Sequence, residues 1–452
     1  MKQYKVIFIF LTAFCSLIPS FLFSQWLETT ITVGINPGGL VWNSINNKIY
    51  CVNWSSHNVT IIDGATNSVI TTVSVGVNPG SLAWNSFNNK IYCANGSSHN
   101  VTIIDGSTDS VITTVPVGDI PAALVWNSTN NKVYCNNHGS NNVTIIDGIT
   151  NSVITTVSVG DGPGPLLWNS INNKVYCANV NSSNVTIIDG ATDSVITIVS
   201  VGNSPLALVW NSFNNKVYCA NYESDNVTII DGTTDSIITA VTVEGSPGAL
   251  VWNSFNNKVY CANSESDNLT IIDGTTDSII TTVTVGGSPG ALLWNSTNNK
   301  VYCANYGSNN VTIIDGTNNS VITIIMAGDG PRNLVRNSIQ NRTYVANYHG
   351  SSISVIRDVT GIEESQKLDA SRLTPEIYPN PTKGVILVRC PLSVKTVKIF
   401  DISGKLVKEI TTLPSFTRND GIEEIKISLK GINPAIYFLQ LGTEVKKFLV
   451  VK

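Results

Sequence analysis

Between residues 29 and 358 the chain repeats one pattern of apolar and polar positions every 42 residues. Trp42, Trp84, Trp126, Trp168, Trp210, Trp252 and Trp294 each open a Trp-Asn-Ser, and Arg336-Asn337-Ser338 falls on the next beat, which makes eight units. Within one unit, four short apolar runs are separated by turn residues: Ala249-Leu250-Val251-Trp252, Val259-Tyr260-Cys261-Ala262, Leu269-Thr270-Ile271-Ile272 and Ile279-Ile280 through Val283 and Val285. Their length and β-branched content predict strands. Asn256-Asn257 and Asp273-Gly274 supply residues that tolerate positive φ at two hairpin turns, and Ser288-Pro289-Gly290 punctuates the passage to the next unit.

A period of 40 to 45 residues with four strands per unit is the signature of a propeller blade. The ends of the array favour a closed ring over a solenoid. The eighth unit has three runs, ending at Ser354-Val355-Ile356-Arg357, and lacks a fourth. Ahead of the first unit, Thr29-Thr30-Ile31-Thr32-Val33-Gly34 matches the fourth run of the others, such as Thr71-Thr72-Val73-Ser74-Val75-Gly76. The N-terminal strand is therefore expected to complete the last blade, which removes exposed sheet edges at the closure. The predicted fold is all-β, an eight-bladed β-propeller at residues 25–358 with four strands per blade.

Tyr-Cys-Ala-Asn (residues 92–95, 176–179 and 218–221) followed by Asn-Val-Thr-Ile-Ile-Asp-Gly resembles the YVTN-type β-propeller repeat of prokaryotic surface and exported proteins. That family more often has seven blades and Val in place of Cys, so seven blades is the alternative. After a charged linker at residues 359–374, the repeat is lost. Tyr378-Pro379-Asn380-Pro381 with Gly384, a Ser403-Gly404 turn, and a closing Lys446-Lys447-Phe448-Leu449-Val450-Val451-Lys452 resemble the type IX secretion C-terminal sorting domain of Bacteroidota, at residues 375–452. Its alternating apolar runs predict a small β-sandwich. The resemblance implies recognition by the type IX secretion machinery and passage to the outer-membrane surface or the extracellular space. Residues 1–24 have two lysines, an apolar stretch and Ser24 before Gln25, the pattern of a cleaved secretory signal peptide. A retained anchor is the alternative, which Pro19 and the serines weaken. No second apolar span suggests a permanent transmembrane segment.

Charge changes this picture little but excludes some functions. Of 452 residues only 13% are charged, and the net charge is −4. Residues 1–358 hold 13 Lys or Arg against 21 Asp or Glu, whereas residues 359–452 hold 14 against 10. An acidic ring of neutral-polar surface is no nucleic-acid binder.

Chemistry-bearing residues are few. Cys51, Cys93, Cys135, Cys177, Cys219, Cys261 and Cys303 occupy one register, with Val345 in the eighth, and Cys15 and Cys390 lie outside the repeats. Equivalent positions on neighbouring blades should be too far apart to bridge, so these thiols are expected to be small buried hydrophobes between blades. No spacing gathers metal ligands, no GxSxG or triad pattern occurs, and no cofactor motif is present, so no catalytic, cofactor-binding or metal residue is assigned. The Asp-Gly pairs (Asp63 to Asp315) are read as turn chemistry, and the Trp residues as filler between blades with the indole N–H bonded locally. Arg336 is read as divergence at the closing blade. Asp109-Ser110-Val111, Asp193-Ser194-Val195, Asp235-Ser236-Ile237 and Asp277-Ser278-Ile279 resemble a Bacteroidota O-glycosylation triplet, although the same residues also make a turn.

The turns between first and second strands and between third and fourth barely change from unit to unit. The loop after the second strand does change. Trp54, His57, His99, His138, Tyr222, Glu223, Asp225, Glu265, Asp267, Tyr306, Tyr348 and His349 all fall there, on the same face as the connections between blades. A face carrying aromatics and mixed charge over a rigid body is the expected binding surface, for an unidentified surface protein or glycan. The expected function is an exported or cell-surface, non-enzymatic binding or scaffold module acting as a monomeric ring. The alternatives are a propeller enzyme, lactonase-like or quinoprotein-like, and a surface-layer or adhesive structural protein. An enzyme should gather His and carboxylates around the central opening, and the innermost strands offer none.

Overall fold

The computed structural model describes residues 25–358 continuously and, beyond them, the strands of the tail together with residues 405, 429 and 432–433. Residues 1–24 with the expected signal peptide, the linker at residues 359–374, and Pro379, Asn380, Pro381, Gly384 and Gly404 of the tail motif lie outside the described residues. Tyr378 ends the strand Glu376–Tyr378. The chain divides into two compact units, one of them Phe23–Asp358.

That unit is a ring of eight four-stranded antiparallel sheets. Blades are numbered here in chain order from residue 37. Blade 1 runs Pro37–Asn43, Lys48–Asn53, Asn58–Asp63 and Val69–Ser74, from the innermost strand outward. Blade 8 comprises Pro331–Asn337, Arg342–Asn347 and Ser352–Asp358, and its outermost strand is the N-terminal segment Gln25–Thr32, antiparallel to Ser352–Asp358. The innermost strands of blades 8 and 1 touch, so the ring is closed with eight blades, and the seven-bladed alternative is set aside.

The core lies between blades. A four-stranded sheet cannot bury both of its own faces, so each apolar cluster takes residues from two neighbours. Tyr50, Val52, Val59 and Ile61 of blade 1 pack on Ile91, Cys93 and Ile104 of blade 2, with Trp84 at the edge. Ile31 from the N-terminal strand joins Tyr344, Ile353 and Val355 of blade 8 against Ile49, Cys51 and Ile62 of blade 1. The seven repeat cysteines are all buried and free, each inside such an interface, and burial pushes every one of these thiols up.

A polar seam runs through each interface. Tyr50 Oη donates to Gly106 O (3.3 Å) and Asp109 (3.0 Å) on the next blade, and Lys48 Nζ pairs with Asp109 at 2.7 Å. The pairing recurs as Lys132–Asp193, Lys174–Asp235 and Lys216–Asp277, while Lys90 and Lys258 meet Asn151 and Asn319. Six indoles donate to the Asn five residues on, as Trp42 does to Asn47 (3.2 Å); Trp84 does not. Arg336, in the eighth Trp position, makes the same bond through Nη2 to Asn341 (2.9 Å), so it preserves the role of the residue it replaces.

Each connection in blade 1 holds one residue at positive φ: Asn36, Asn47, His57 and Asn67. The expectation for Asn257 is met at φ 53°, but the Asp-Gly pair works differently from the sequence reading. The left-handed residue of that turn is Asp277, at φ 61°. Asp273 Oδ1 instead accepts the N–H groups of Thr275 and Thr276, and a Cβ on Gly274 would sit 2.6 Å from Asn257 O. Glycine is required there by close approach rather than by dihedral angle.

Blade 8 has no turn between its third and fourth strands, so it lacks the carbonyl and carboxylate that blade 7 must meet. Asp358 supplies them. Its fully buried carboxylate accepts from Gln25 (2.8 Å), Asn295 (2.6 Å), Asn298, Lys300 (3.2 Å) and Tyr302 (2.6 Å). Arg342 closes the other side, donating to Glu28 through two bonds and to Gly64 O and Ala65 O of blade 1.

The tail strands form two four-stranded antiparallel sheets, the content expected of a small sandwich. One contains Glu376–Tyr378, Val385–Pro391, Phe416–Thr417 and Ile422–Ser428. The other contains Val397–Asp401, Leu406–Ile410, Ile436–Leu441 and Glu444–Leu449.

Two outcomes are expected. Asp358→Ala should lower stability by about 3 to 5 kcal/mol, because it strands buried donors including Tyr302, whereas Asp109→Ala at an ordinary interface should cost about 1 to 2 kcal/mol; urea midpoints of the two variants give the comparison. Because burial raises the thiols in the folded state, the unfolded chain gives up those protons first as pH rises, so stability should be full below about pH 8.5 and fall above it. Melting curves at pH 7 to 10.5 should show this loss, and replacing all seven cysteines by Val, the residue at position 345, should move its onset upward to about pH 10, where tyrosines of the unfolded chain begin to ionise while buried ones, such as Tyr92 pushed up to about 12, stay protonated.

Candidate functional site

Antiparallel order puts the loop after each second strand and the connection into each next blade on one face. Every candidate residue of that face belongs to one of three registers. Trp54, His138, Tyr222, Tyr306 and Tyr348 share the first, completed by Gly96, Val180 and Ser264. In all eight blades this residue's N–H donates to the carbonyl of the positive-φ residue in the preceding connection, as Trp54 does to Asn36 O (3.0 Å) and Tyr348 to Gly330 O (2.8 Å). The backbone is therefore fixed, and only the side chain varies.

Glu223, Glu265 and His349 share the next register and point into solvent. His57, His99, Asp225 and Asp267 share the third, with Asn141, Ser183, Asn309 and Ser351. All eight take positive φ. Several also bind the next connection: Asn78 N–H donates to His57 Nδ1 (3.2 Å), Ile120 N–H to His99 Nδ1 (3.1 Å), Ser246 N–H to Asp225 (2.8 Å) and Ser288 N–H to Asp267 (2.8 Å). Asn141 and Asn309 do the same in other blades. These side chains hold loop to connection, so the two histidines and two aspartates have an internal use.

The first register clusters its aromatics. Tyr306, Tyr348 and Trp54 stand on the consecutive blades 7, 8 and 1, spanning the closure. Tyr306 Oη meets His349 Nε2, their ring centroids are 5.5 Å apart, and the His349 ring packs edge-on against Tyr348 at 5.2 Å. Arg332 lies over the Tyr348 ring, its Cζ 4.9 Å from the centroid. Asn36 ties this arc across the closure, accepting from Trp54 and donating Nδ2–H to Tyr348 O (3.1 Å).

A cavity of about 810 Å³ opens at this face where the first strands begin. Trp54, Tyr348, Arg332, Asn333, Asn78 and Ser81 contribute its larger or polar side chains, glycines and prolines much of the rest, and Leu40 and Leu82 line it as well. It contains no His or carboxylate, and Arg332 is its one charged group. Tyr222, Tyr306, Glu223 and Glu265 lie on the same face outside the cavity. Among the described residues no group of three His, Cys, Asp or Glu is placed to hold a metal. Ile120, also in the lining, sits at φ 52°, a strained setting for a β-branched residue.

The sequence places Arg332 at the end of the connection Asp329-Gly330-Pro331-Arg332 on this face without singling it out, and two features go beyond the expected site residues. Arg332 and Asn333 stand in registers that read Gly, Gly, Ala, Gly, Leu, Gly, Gly and Gly, Ser, Ala, Pro, Ala, Ala, Ala in blades 1 to 7. Lining up the first-strand starts would have exposed them. On the opposite face, the third residue of the Asn-Ser-x-Asn-Asn turn forms a ring of exposed apolar side chains: Ile45, Phe87 (72% exposed), Ile171, Phe213 (74%), Phe255 (72%) and Ile339. In blades 1 to 7 these turns change at that one position, with Thr129 and Thr297 interrupting the apolar series.

Solved structures resemble the ring in fold. They include hydrazine synthase from Kuenenia stuttgartiensis (20% identity, TM-score 0.52, covering 65% of this chain and 99% of that one) and Saccharomyces cerevisiae Sqt1 (11%, 0.61, 75% and 98%). A third is the dihydro-heme d1 dehydrogenase NirN (10%, 0.60, 74% and 80%). At such identities the likeness shows a propeller and nothing of its chemistry. No curated protein matches in sequence. Among the described residues no helix is long and apolar enough to cross a membrane. Residues 376–452 match the family described as the secretion system C-terminal sorting domain, and the chain is thus an eight-bladed β-propeller carrying a type IX export address that takes it to the cell surface or the extracellular space.

Proposed function

We infer that the ring is a non-enzymatic binding module whose ligand is held on the loop face, at the mouth of the central opening. The observation that supports this most is the cavity lined by Trp54, Tyr348 and Arg332, which has aromatic contact surface and one cation but no acid–base pair for catalysis. The loop backbones are locked by repeated hydrogen bonds, so a ligand meets surfaces that lose little entropy on binding. Sorting to the exterior places such a face where surface proteins and glycans are met. The test is capture by the purified full chain on glycan and surface-protein panels, beside a variant with Trp54, Tyr222, Tyr306 and Tyr348 changed to Ala. Specific capture that the variant loses is expected; capture indifferent to the four changes overturns the loop-face reading.

A second reading, a layer-forming or adhesive role, draws on the apolar ring of Ile45, Phe87, Ile171, Phe213, Phe255 and Ile339. Under that reading, Phe87→Ser, Phe213→Ser and Phe255→Ser together should abolish concentration-dependent assembly seen by sedimentation velocity, with panel capture unchanged.

A further inference from the structure

The eight blades are so alike that a departure confined to one of them stands out. At the first-strand start, seven blades place Gly, Ala or Leu where blade 8 places Arg332, and seven place Gly, Ser, Ala or Pro where blade 8 places Asn333. Arg332 is not needed to build the ring, because five blades do without any side chain at that point. Its guanidinium lies over the Tyr348 ring, Cζ 4.9 Å from the centroid, and lines the cavity as the only charged group there. Trp54 on the adjacent blade is 43% exposed and lines the same cavity. Asn36, bonded to both loops, fixes the spacing of the two aromatics.

The ring as a whole is acidic, and none of its carboxylates lines the cavity: at this face Asp119, Asp161, Glu244 and Asp329 lie on the connections, and Glu223, Asp225, Glu265 and Asp267 in the loops of blades 5 and 6. A ligand that is negative throughout would be repelled by that rim, and a cationic one would be opposed by Arg332 inside. The pattern fits a ligand with a single carboxylate attached to a flat ring that has polar edges. The guanidinium fork receives the carboxylate. Trp54 and Tyr348 receive the apolar C–H face of the ring, and Asn333 and Ser81 can bond its hydroxyls.

We propose that the cavity at the mouth of the central opening is, on its blade 8 and blade 1 side, a carbohydrate subsite for a uronic-acid unit, with Arg332 holding the carboxylate and Trp54 and Tyr348 stacking the sugar. This inference rests on the loop-face binding reading and adds the ligand class. A peptide carboxylate shares the charge but offers no rigid C–H face to two aromatics, so it is an outcome of the test rather than the proposal.

The experiment is calorimetric titration of the full chain with a uronate trimer, a trisaccharide of one terminal glucuronate on two glucose units, with cellotriose as the neutral comparison and a Glu-terminated tripeptide as the peptide comparison. Binding of the uronate trimer at least tenfold tighter than of either comparison is expected, weakening as salt rises. Arg332→Gly, which gives blade 8 the residue of five other blades, should cost tenfold or more for the uronate and leave the neutral sugar unchanged. Trp54→Ala should weaken both sugars, and thermal melts should show both variants folded. Equal binding of charged and neutral trimers, preference for the peptide, or a uronate affinity untouched by Arg332→Gly overturns the proposal. If the uronate does not bind while the four-residue Ala variant still loses panel capture, the ligand class is wrong and the loop-face reading stands; if that variant keeps its capture, both fail.

Discussion

Each blade buries a tyrosine hydroxyl and most of a lysine, or Arg342 in blade 8, against its neighbour, and neither can be left without a partner there. Tyr50 and Lys48 find theirs in the Gly106 carbonyl and Asp109 of the next blade, and the same demand is passed on around the ring. An open array would end with a blade whose apolar face and polar donors both met water. The closure therefore needs a chemical replacement as well as a strand. The N-terminal segment brings the strand, and the buried Asp358 carboxylate does the work of a missing turn. Asp358 is a costly group to bury, and it is tolerable because five donors from blades 7 and 8 converge on it.

This demand also decides where the molecule can vary. The face bearing the Asp-Gly turns carries the interblade seam, so most of its residues are committed to packing and hydrogen bonds. On the other face, the backbone of each loop is fixed by bonds to the preceding connection, while the first-register side chain varies widely and bonds to a connection only at positions such as His138 and Ser264. Gly96, Val180 and Ser264 fill it as well as Trp54 does. Side chains there are free to serve a ligand, and the aromatic arc at blades 7, 8 and 1 is where the variation gathers.

The fold was legible because a 42-residue period with four strand-like runs leaves little choice of architecture, and the leftover strand at residues 29–34 declared the closure. The face of the variable loops followed from strand alternation. What escaped was local. His57, His99, Asp225 and Asp267 looked like free chemistry, but positive φ and a bond to the next connection occupy them, and neither shows unless the residues are aligned with Asn141 and Asn309. Asp-Gly suggested a left-handed pair, when the glycine answers to a carbonyl in the turn between the first and second strands. Arg332 is legible as the end of a connection on this face, but its place in the cavity is not, because a cation two residues past a loop reads as the start of a strand.

The cysteines pose a last question, since an exported chain meets oxidants that would pair exposed thiols. The folded ring protects them geometrically: each is fully buried in a separate interface, bonded locally as Cys303 is to Asn305 (3.2 Å), and its thiolate is suppressed by burial. The period assists before folding is complete. Within a blade, contacts are among residues close in sequence, and each thiol is covered once two consecutive blades meet. Only Cys51 depends on the closure, because its cluster needs Ile31 from the N-terminal strand and Tyr344, Ile353 and Val355 from the last blade. The closing interface thus governs chemical protection as well as stability, and Asp358 and Arg342 serve both.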